Sequence, residues 1–275
     1  MTTAGWTARL SLHYTRDGER TVGRDRHEGP LRVLKALHPE GPGICHHVIV
    51  HPPGGVVGGD QLHVDLQAGA GTHALITTPG ATRFYRSDGA TARQQVQLRL
   101  AAGARVEWLP LETIAHAGCI AENRLTLDLA EGAECLGWEL LALGLPAAGE
   151  AFDRGSFLQH LELPGAWLDR GRLRATDALL LDGPLGLAGQ RVLGTLWLAA
   201  GRPWDEARRE ALLDGARALL GDALAGATAV HGQVLVLRLL ADRVEPAMRL
   251  LQAVRGAWRR TAWGLDAQPP RVWRT

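Results

Sequence analysis

The sequence predicts a mainly β protein whose sheets are stacked as in a β-helix or a layered sandwich, with two helices in the C-terminal part. Three observations lead to this prediction. Apolar and polar residues alternate over many short runs before residue 200, as in Ala8–Leu12. Similar turn sequences recur between such runs. The apolar period becomes helical only after Asp205.

The first part of the chain predicts a hairpin followed by a glycine-rich corner. The β-type runs cover residues 6–14 and 20–34, and Asp17-Gly18 between them is typical of a hairpin turn. The apolar run Ile44–Val50 leads into His51–Asp60, HPPGGVVGGD. Glycine adopts positive φ and permits close backbone contacts without steric penalty. We therefore expect a rigid corner, with Asp60 at its exit and another strand after it.

A repeated turn sequence predicts that strands are stacked. Leu66–Ala70, Leu100–Ala104 and Leu129–Ala133 share the pattern Leu-x-x-Gly-Ala, and each lies between alternating runs. Recurrence at such a period is typical of supersecondary units that bury their apolar faces against one another. The alternative is chance similarity of short strings in a chain rich in alanine and glycine.

The C-terminal part predicts a helix–strand–helix segment at about residues 204–260, after a β region at about 6–203. Apolar residues recur at helical spacing from Leu212 to Leu220, a strand follows at Gln233–Leu239, and a second helix begins near Pro246. We find no linker sequence that divides the chain. One domain over residues 1–275 is therefore expected.

Charge and composition favour a cytoplasmic protein without a nucleic-acid or membrane partner. The chain has 30 basic and 29 acidic residues and no run of like charge. Its N-terminus lacks a secretory signal pattern, and no apolar run reaches the roughly 18 residues of a spanning helix. Cys45, Cys119 and Cys135 form no CxxC pair, which is consistent with a reducing compartment.

Several side chains are candidates for metal binding. Cys45, His47 and His51 would share one face of a strand, and thiolate and imidazole suit nickel, zinc or copper. Their spacing matches no closed structural site, so packed histidines are the better interpretation. A β-structured metal-dependent enzyme that uses Cys45, His47, His51 and His63 remains the alternative function.

The sequence shows no common catalytic or phosphate-binding motif. The glycine-rich corner leads into a strand, whereas a phosphate loop leads into a helix. No nucleophile elbow, HExxH helix or evident Ser-His-Asp arrangement is present. Side chains distant in sequence could still assemble a catalytic site, so an enzyme is not excluded by this observation.

Carboxylates and tryptophans complete the candidate residues. Glu139 interrupts the apolar stretch Leu136–Leu145, so it either belongs to a local network or faces an internal water-filled space, with exposure on a sheet face as the alternative. The other candidate carboxylates are Asp60, Asp65, Asp88, Glu107, Glu112, Glu150 and Asp177.

The chain has nine tryptophans, which is unusual. Trp258, Trp263 and Trp273, near the C-terminal end, are candidate partner contacts, with core packing as the alternative.

Five segments occur in a fixed order along the chain. They are Gly29-Pro-Leu31, His51–Asp60, Thr77–Thr82 with Tyr85-Arg86, Leu109-Pro110 with Glu112-Thr-Ile114, and Gly149-Glu150-Ala-Phe152. Together they resemble the urease accessory protein UreD family, which is called UreH in some bacteria. The resemblance covers about residues 6–200 and fades through the helical segment.

This resemblance implies a non-enzymatic maturation factor built from stacked β-sheets with two helices. Members of the family bind apo-urease and UreF, which recruits the GTPase UreG, and the assembly delivers nickel to the urease active site. Nickel is thought to pass through an internal passage lined by acidic residues. Asp60 and Glu139 are the positions to which this role is transferred. No tightly bound cofactor is implied, only a transient nickel ion.

The chain departs from the family pattern at two places. Gly144-Leu145 stands where the family commonly has Gly-Arg, and Ala115-His116 stands where an aromatic residue commonly follows the Thr-Ile pair. The first change removes a guanidinium that could pair with an acidic neighbour such as Glu150.

Overall fold

The computed structural model describes residues 5–274 and is built mainly from strands. Their numbering follows the chain: β1 (Thr7–Asp17), β2 (Arg20–Glu28), β3 (Arg32–Val33), β4 (Ile44–Val50), β5 (Gln61–Ala68), β6 (His73–Thr77), β7 (Thr82–Phe84), β8 (Ala92–Leu100), β9 (Arg105–Leu109), β10 (Thr113–Ala115), β11 (Ile120–Leu129), β12 (Glu134–Leu143), β13 (Ser156–Leu163), β14 (Trp167–Arg174), β15 (Val192–Ala200), β16 (Ala225–His231) and β17 (Val234–Ala241). The helices are α1 (Ala178–Asp182), α2 (Glu206–Arg217) and α3 (Val244–Trp263), with short 3-10 helices at Pro146–Ala148 and Arg271–Arg274.

The strands form two stacked sheets, which confirms the predicted fold class. A seven-stranded sheet has the order β14-β13-β11-β8-β5-β1-β2. A ten-stranded sheet has the order β16-β17-β15-β12-β9-β6-β4-β3, with β10 and β7 attached beside β12. The central strands of both sheets are parallel. The chain therefore alternates between the sheets in β-solenoid-like coils: β5-β6-β7, then β8-β9-β10, then β11-β12.

The repeated turn joins the two sheets, but its first copy is shifted from the predicted alignment. The strand register places Ala68 beside Leu100, and Leu100 beside Leu129. Gly71 therefore occupies the position of Gly103 and Gly132, and all three have positive φ angles of 65°, 65° and 76°. The predicted alignment used Gly69, which has no positive φ. Stacking is confirmed, and the alignment of the first copy was wrong by two residues.

The glycine-rich corner lies between two strands, as predicted. The structure adds that it connects the two sheets, because β4 belongs to one and β5 to the other. Gly54 and Gly59 have positive φ angles of 78° and 95°. Gly55 is required for another reason, since a Cβ there would lie 2.1 Å from the Tyr85 ring. The corner is therefore fixed both by backbone conformation and by close packing.

The C-terminal segment covers one sheet and differs in one element from the prediction. Helices α2 and α3 pack against the ten-stranded sheet and form a second apolar core with its outer face. Between them lies a hairpin, β16–β17, where the sequence predicted one strand. The prediction missed β16 because its sequence, AGATAVH, has little apolar alternation, and it missed α1, which at five residues is too short to show helical periodicity. Of the helices within residues 5–274, none is both long and apolar enough to cross a bilayer.

Candidate functional site between the two sheets

Glu139 points into the space between the two sheets. Every residue of β12 is buried, and the strand alternates between two environments. Leu136, Trp138 and Leu140 pack towards the helices, whereas Cys135 and Leu141 pack between the sheets. Glu139 lies on the same face of β12 as Cys135 and Leu141, and it is 6% exposed. A carboxylate in this position is costly unless polar groups or water surround it.

A line of polar side chains contacts the Glu139 carboxyl group. Asn123 donates through Nδ2 to Oε2 at 3.0 Å, and Trp108 donates through Nε1 to Oε1 at 3.3 Å. Gln94 in turn donates through Nε2 to Oδ1 of Asn123 at 3.2 Å. The structure thus brings together side chains from β8, β9, β11 and β12.

Further polar groups lie beside this line. The sheet register places Gln159 next to Asn123 and Thr195 next to Glu139. The Nε2 atom of Gln159 is buried and has no hydrogen-bond partner among the described residues. Because buried polar atoms are nearly always hydrogen bonded, this atom points to water or a polar ligand between the sheets.

Burial dominates the electrostatics of Glu139. It raises the pKa of the carboxyl group to about 7, although the hydrogen bonds from Trp108 and Asn123 act in the opposite direction. Within residues 5–274, no arginine, lysine or histidine forms an ion pair with it. The group therefore exchanges its proton near neutral pH. When ionised, it offers hard oxygen ligands that can hold a divalent cation loosely.

A cleft leads from the glycine-rich corner towards this line. Its volume is about 230 Å³, and its lining includes His51, Gly54–Val56, Thr78–Arg83, Gln94 and Trp108. Burial lowers the pKa of His51, although Asp60 acts in the opposite direction, so its imidazole is neutral near pH 7 and can act as a ligand. Gln94 and Trp108 belong to both the cleft and the Glu139 cluster.

Asp60 has a structural position at the corner. Its Oδ1 accepts a hydrogen bond from the backbone N–H of Trp6 at 2.8 Å, and its Oδ2 accepts one from the backbone N–H of Val57 at 2.9 Å. It is 6% exposed and is not among the residues that line the cleft. Asp60 therefore joins the start of β1 to the corner. Its transferred role in an ion route remains a prediction.

The cysteine and histidine residues of the alternative function do not come together. Cys45 is buried, and burial raises the pKa of its thiol to about 11. His47 is hydrogen bonded to the Tyr14 hydroxyl group at 2.7 Å, His51 lies in the cleft, and His63 lies on the outer side of the other sheet. In the described part of the chain, no three His, Cys, Asp or Glu residues are placed to hold a metal ion. The structure therefore gives no support to the metal-dependent enzyme.

The three late tryptophans are all engaged within the chain. Trp258 is fully buried and donates through Nε1 to the Leu212 carbonyl oxygen at 2.9 Å. Trp263 is 8% exposed and donates to Glu134 at 2.7 Å. Trp273 is half-buried and donates to Thr77 Oγ1 at 2.7 Å. Trp258 has no exposed surface for a partner in this conformation, and a partner role for the other two remains a prediction.

Sequence reasoning missed a buried ionic network between the ten-stranded sheet and α3. Glu107 is fully buried and lies 2.7 Å from Arg255 Nη2, 3.4 Å from Arg259 Nε and 3.1 Å from His73 Nε2. Burial alone would raise the pKa of Glu107, but the charge of Arg255 foremost, then the hydrogen bond with His73 and the charge of Arg259, lower it to about 2. One signal was available: Arg255 and Arg259 are four residues apart on the apolar stripe of α3.

The network continues to the loop before β4. Arg259 Nη2 lies 2.8 Å from Glu40 Oε2, and His46 Nε2 lies 2.8 Å from Glu40 Oε1. Although burial would raise it, the pKa of Glu40 is lowered by His46 and Arg259. Helix α3 is therefore attached to the sheet by ionic as well as apolar contacts.

The two departures from the family pattern lie next to each other. Leu145 forms a bridge with Glu150, and His116 Nδ1 lies 4.0 Å from Glu150 Oε2. The imidazole of His116 also stacks on Tyr85 with ring centroids 4.9 Å apart. His116 thus lies beside Glu150, the carboxylate with which an arginine at position 145 could have paired.

Two stacked sheets around a buried carboxylate, with helices on one outer face, define a β-solenoid-like protein with an internal polar site. The family model of the UreD urease accessory protein matches residues 7–274. The chain belongs to this family, and the match extends beyond the segments in which the motifs were recognised.

Similar proteins cover nearly the whole chain. A protein of Leptothrix cholodnii named urease accessory protein UreD is 63% identical over 276 residues, which cover 98% of this chain and 99% of the relative. Proteins of the same name from Paracidovorax citrulli and Polaromonas naphthalenivorans are 57% and 56% identical, with the same coverage. A role in urease maturation follows from this membership.

Proposed function

We propose that the chain is a cytoplasmic scaffold that binds apo-urease and helps deliver nickel to its active site without catalysing a reaction itself. The observation that carries this proposal is the buried Glu139, which with Gln94, Trp108 and Asn123 forms a polar cluster within the apolar interior, next to the corner cleft. Membership of the UreD family supports the link to urease. In this proposal, nickel is cargo that passes through the chain to urease and has no permanent site in the chain.

The ligand types around Glu139 suit transfer better than storage. Carboxylate oxygens exchange a divalent ion readily, whereas several cysteines and histidines together would retain it. A cation that reaches Glu139 would displace the carboxyl proton, which burial retains on the group by raising its pKa to about 7. His51 in the cleft supplies a neutral nitrogen ligand nearer the corner.

The partners are those that the family resemblance implies. UreF would bind this chain and bring UreG, which would supply GTP hydrolysis. Trp273, half-buried at the C-terminal end, and Trp263 are the candidate contacts that retain some exposed surface. No partner with a nucleic-acid or membrane surface is proposed.

Removal of the chain from cells that carry the urease genes tests the proposal. We expect urease subunits to accumulate with little nickel and little activity, and the reintroduced chain should restore both. The tagged chain should also co-isolate with urease subunits and UreF. Urease with a full nickel content in cells that lack the chain would contradict the proposal.

A further inference from the structure

The outer face of the seven-stranded sheet is open to solvent. Helices α2 and α3 both pack on the other sheet. Outward positions of the seven-stranded sheet include exposed side chains on its outer strands, such as Arg9 on β1 and Arg170 on β14. The proposed ion route lies between the two sheets and does not involve this outer face.

This face has a net positive charge, whereas the rest of the chain is net negative. Strand register assigns to it the ion-paired arginines Arg93, Arg99, Arg124 and Arg172, and the carboxylates Glu28, Asp65, Glu122, Asp128 and Glu162. It also carries the arginines Arg9, Arg24, Arg26, Arg170 and Arg174. Nine arginines and five carboxylates give +4, and the Asp17 and Arg20 pair at the hairpin end adds none. Since the whole chain has a net charge of +1, the rest of the chain has a net charge of −3.

Three guanidinium groups converge on one carboxylate near the centre of the face. Arg93, Arg124 and Arg172 lie 3.4 Å, 3.0 Å and 3.1 Å from Glu122 oxygens. They come from β8, β11 and β14, so the sheet holds them in fixed relative positions. One carboxylate neutralises one of the three charges, and the cluster keeps a local excess of two.

The remaining arginines of the face have no internal acidic partner. Arg9, Arg24, Arg26, Arg170 and Arg174 form no ion pair with any residue in the described part of the chain. Arginine presents five N–H donors in a planar group that suits carboxylates. These donors are available to a partner without the loss of an existing ion pair.

We propose that the outer face of the seven-stranded sheet is a docking surface for an acidic protein surface. Complementary charge steers association and selects the partner. The five carboxylates on the face would repel a continuous phosphate backbone, whereas separate acidic side chains can be placed beside the arginines. Leu168, which is 59% exposed on the same face, adds an apolar contact typical of protein interfaces. This proposal does not depend on the nickel route.

Immobilised poly-L-glutamate is a defined probe for the full-length chain. The test variant is Arg9→Gln/Arg170→Gln/Arg174→Gln, which removes three charges from the face and no ion pair. We expect it to bind the probe about tenfold more weakly than the native chain, because each exposed pair contributes a modest amount. Its thermal unfolding should be unchanged.

The matched control removes three charges and no ion pair from the C-terminal helices, as Arg243→Gln/Arg249→Gln/Arg271→Gln, and should bind nearly as well as the native chain. An equal loss in both variants, or no loss in the first, would overturn the assignment of this face. Tighter binding of the native chain to poly-uridylate RNA than to poly-L-glutamate at the same salt concentration would overturn the assignment of the partner.

Discussion

Replacement of Glu107 by alanine is expected to destabilise the protein by about 3–5 kcal/mol, because removal of one partner leaves buried charges uncompensated. Arg255 and Arg259 are 1% and 0% exposed, and both lie within 3.4 Å of the Glu107 carboxylate. The free energy of unfolding in denaturant at pH 7 measures this effect.

Two comparisons make the Glu107 test specific. Glu210→Ala, at an exposed position of α2, should change stability by less than about 0.5 kcal/mol. The pKa of Glu107 is lowered from 4.5 to about 2, so its stabilisation is present above pH 4.5 and is lost as pH falls towards 2. The native chain and Glu107→Ala should therefore converge in acid. A loss below about 1 kcal/mol at pH 7 would show that the network does not hold α3.

Glu139→Gln is expected to have the opposite effect, and the effect should grow with pH. Burial raises the pKa of Glu139 from 4.5 to about 7. Between these values the unfolded carboxyl group is ionised while the folded one keeps its proton, so the native chain loses stability as pH rises. A pKa shift of this size lowers the stability of the native chain by about 3 kcal/mol at high pH. Glutamine does not ionise, so the variant does not lose this stability.

The readout is the stability difference between Glu139→Gln and the native chain, measured at pH 5 and pH 8. From pH 5 to pH 8, the free energy of unfolding of the variant should increase by about 2–3 kcal/mol relative to that of the native chain. A pH-independent difference would show that Glu139 is not buried in the native protein. The expected result would mean that the native chain retains a carboxyl group at a cost in stability, which is typical of functional positions.

Local sequence chemistry predicted the parts of the fold that depend on neighbouring residues. Asp17-Gly18 forms the hairpin between β1 and β2, and the glycines of the corner adopt the conformations that only glycine tolerates easily. The polar interruption at Glu139 was visible because the residues around it are apolar. The change to helical period after Asp205 located α2 to within a few residues.

The remainder depended on contacts between residues distant in sequence. Gly69 and Gly71 both fit the turn pattern, and only the register of β5 against β8 selects Gly71. The sequence shows that Asp60 is a carboxylate but not whether it binds an ion or backbone N–H groups. Its contact with the N–H of Trp6 forms only because the start of β1 lies beside the corner. The pairing of Glu107 with Arg255 joins residues 148 positions apart.

The nickel content of urease matured with Glu139→Gln tests the central claim most directly. Since this variant should fold at least as well as the native chain at neutral pH, a loss of delivery cannot be attributed to unfolding. We expect the variant to co-isolate with urease as the native chain does, while the nickel content and activity of the urease fall about tenfold or more. The control Glu210→Gln should support normal maturation. Urease with its full nickel content after maturation with Glu139→Gln would contradict a nickel route through the polar cluster around Glu139.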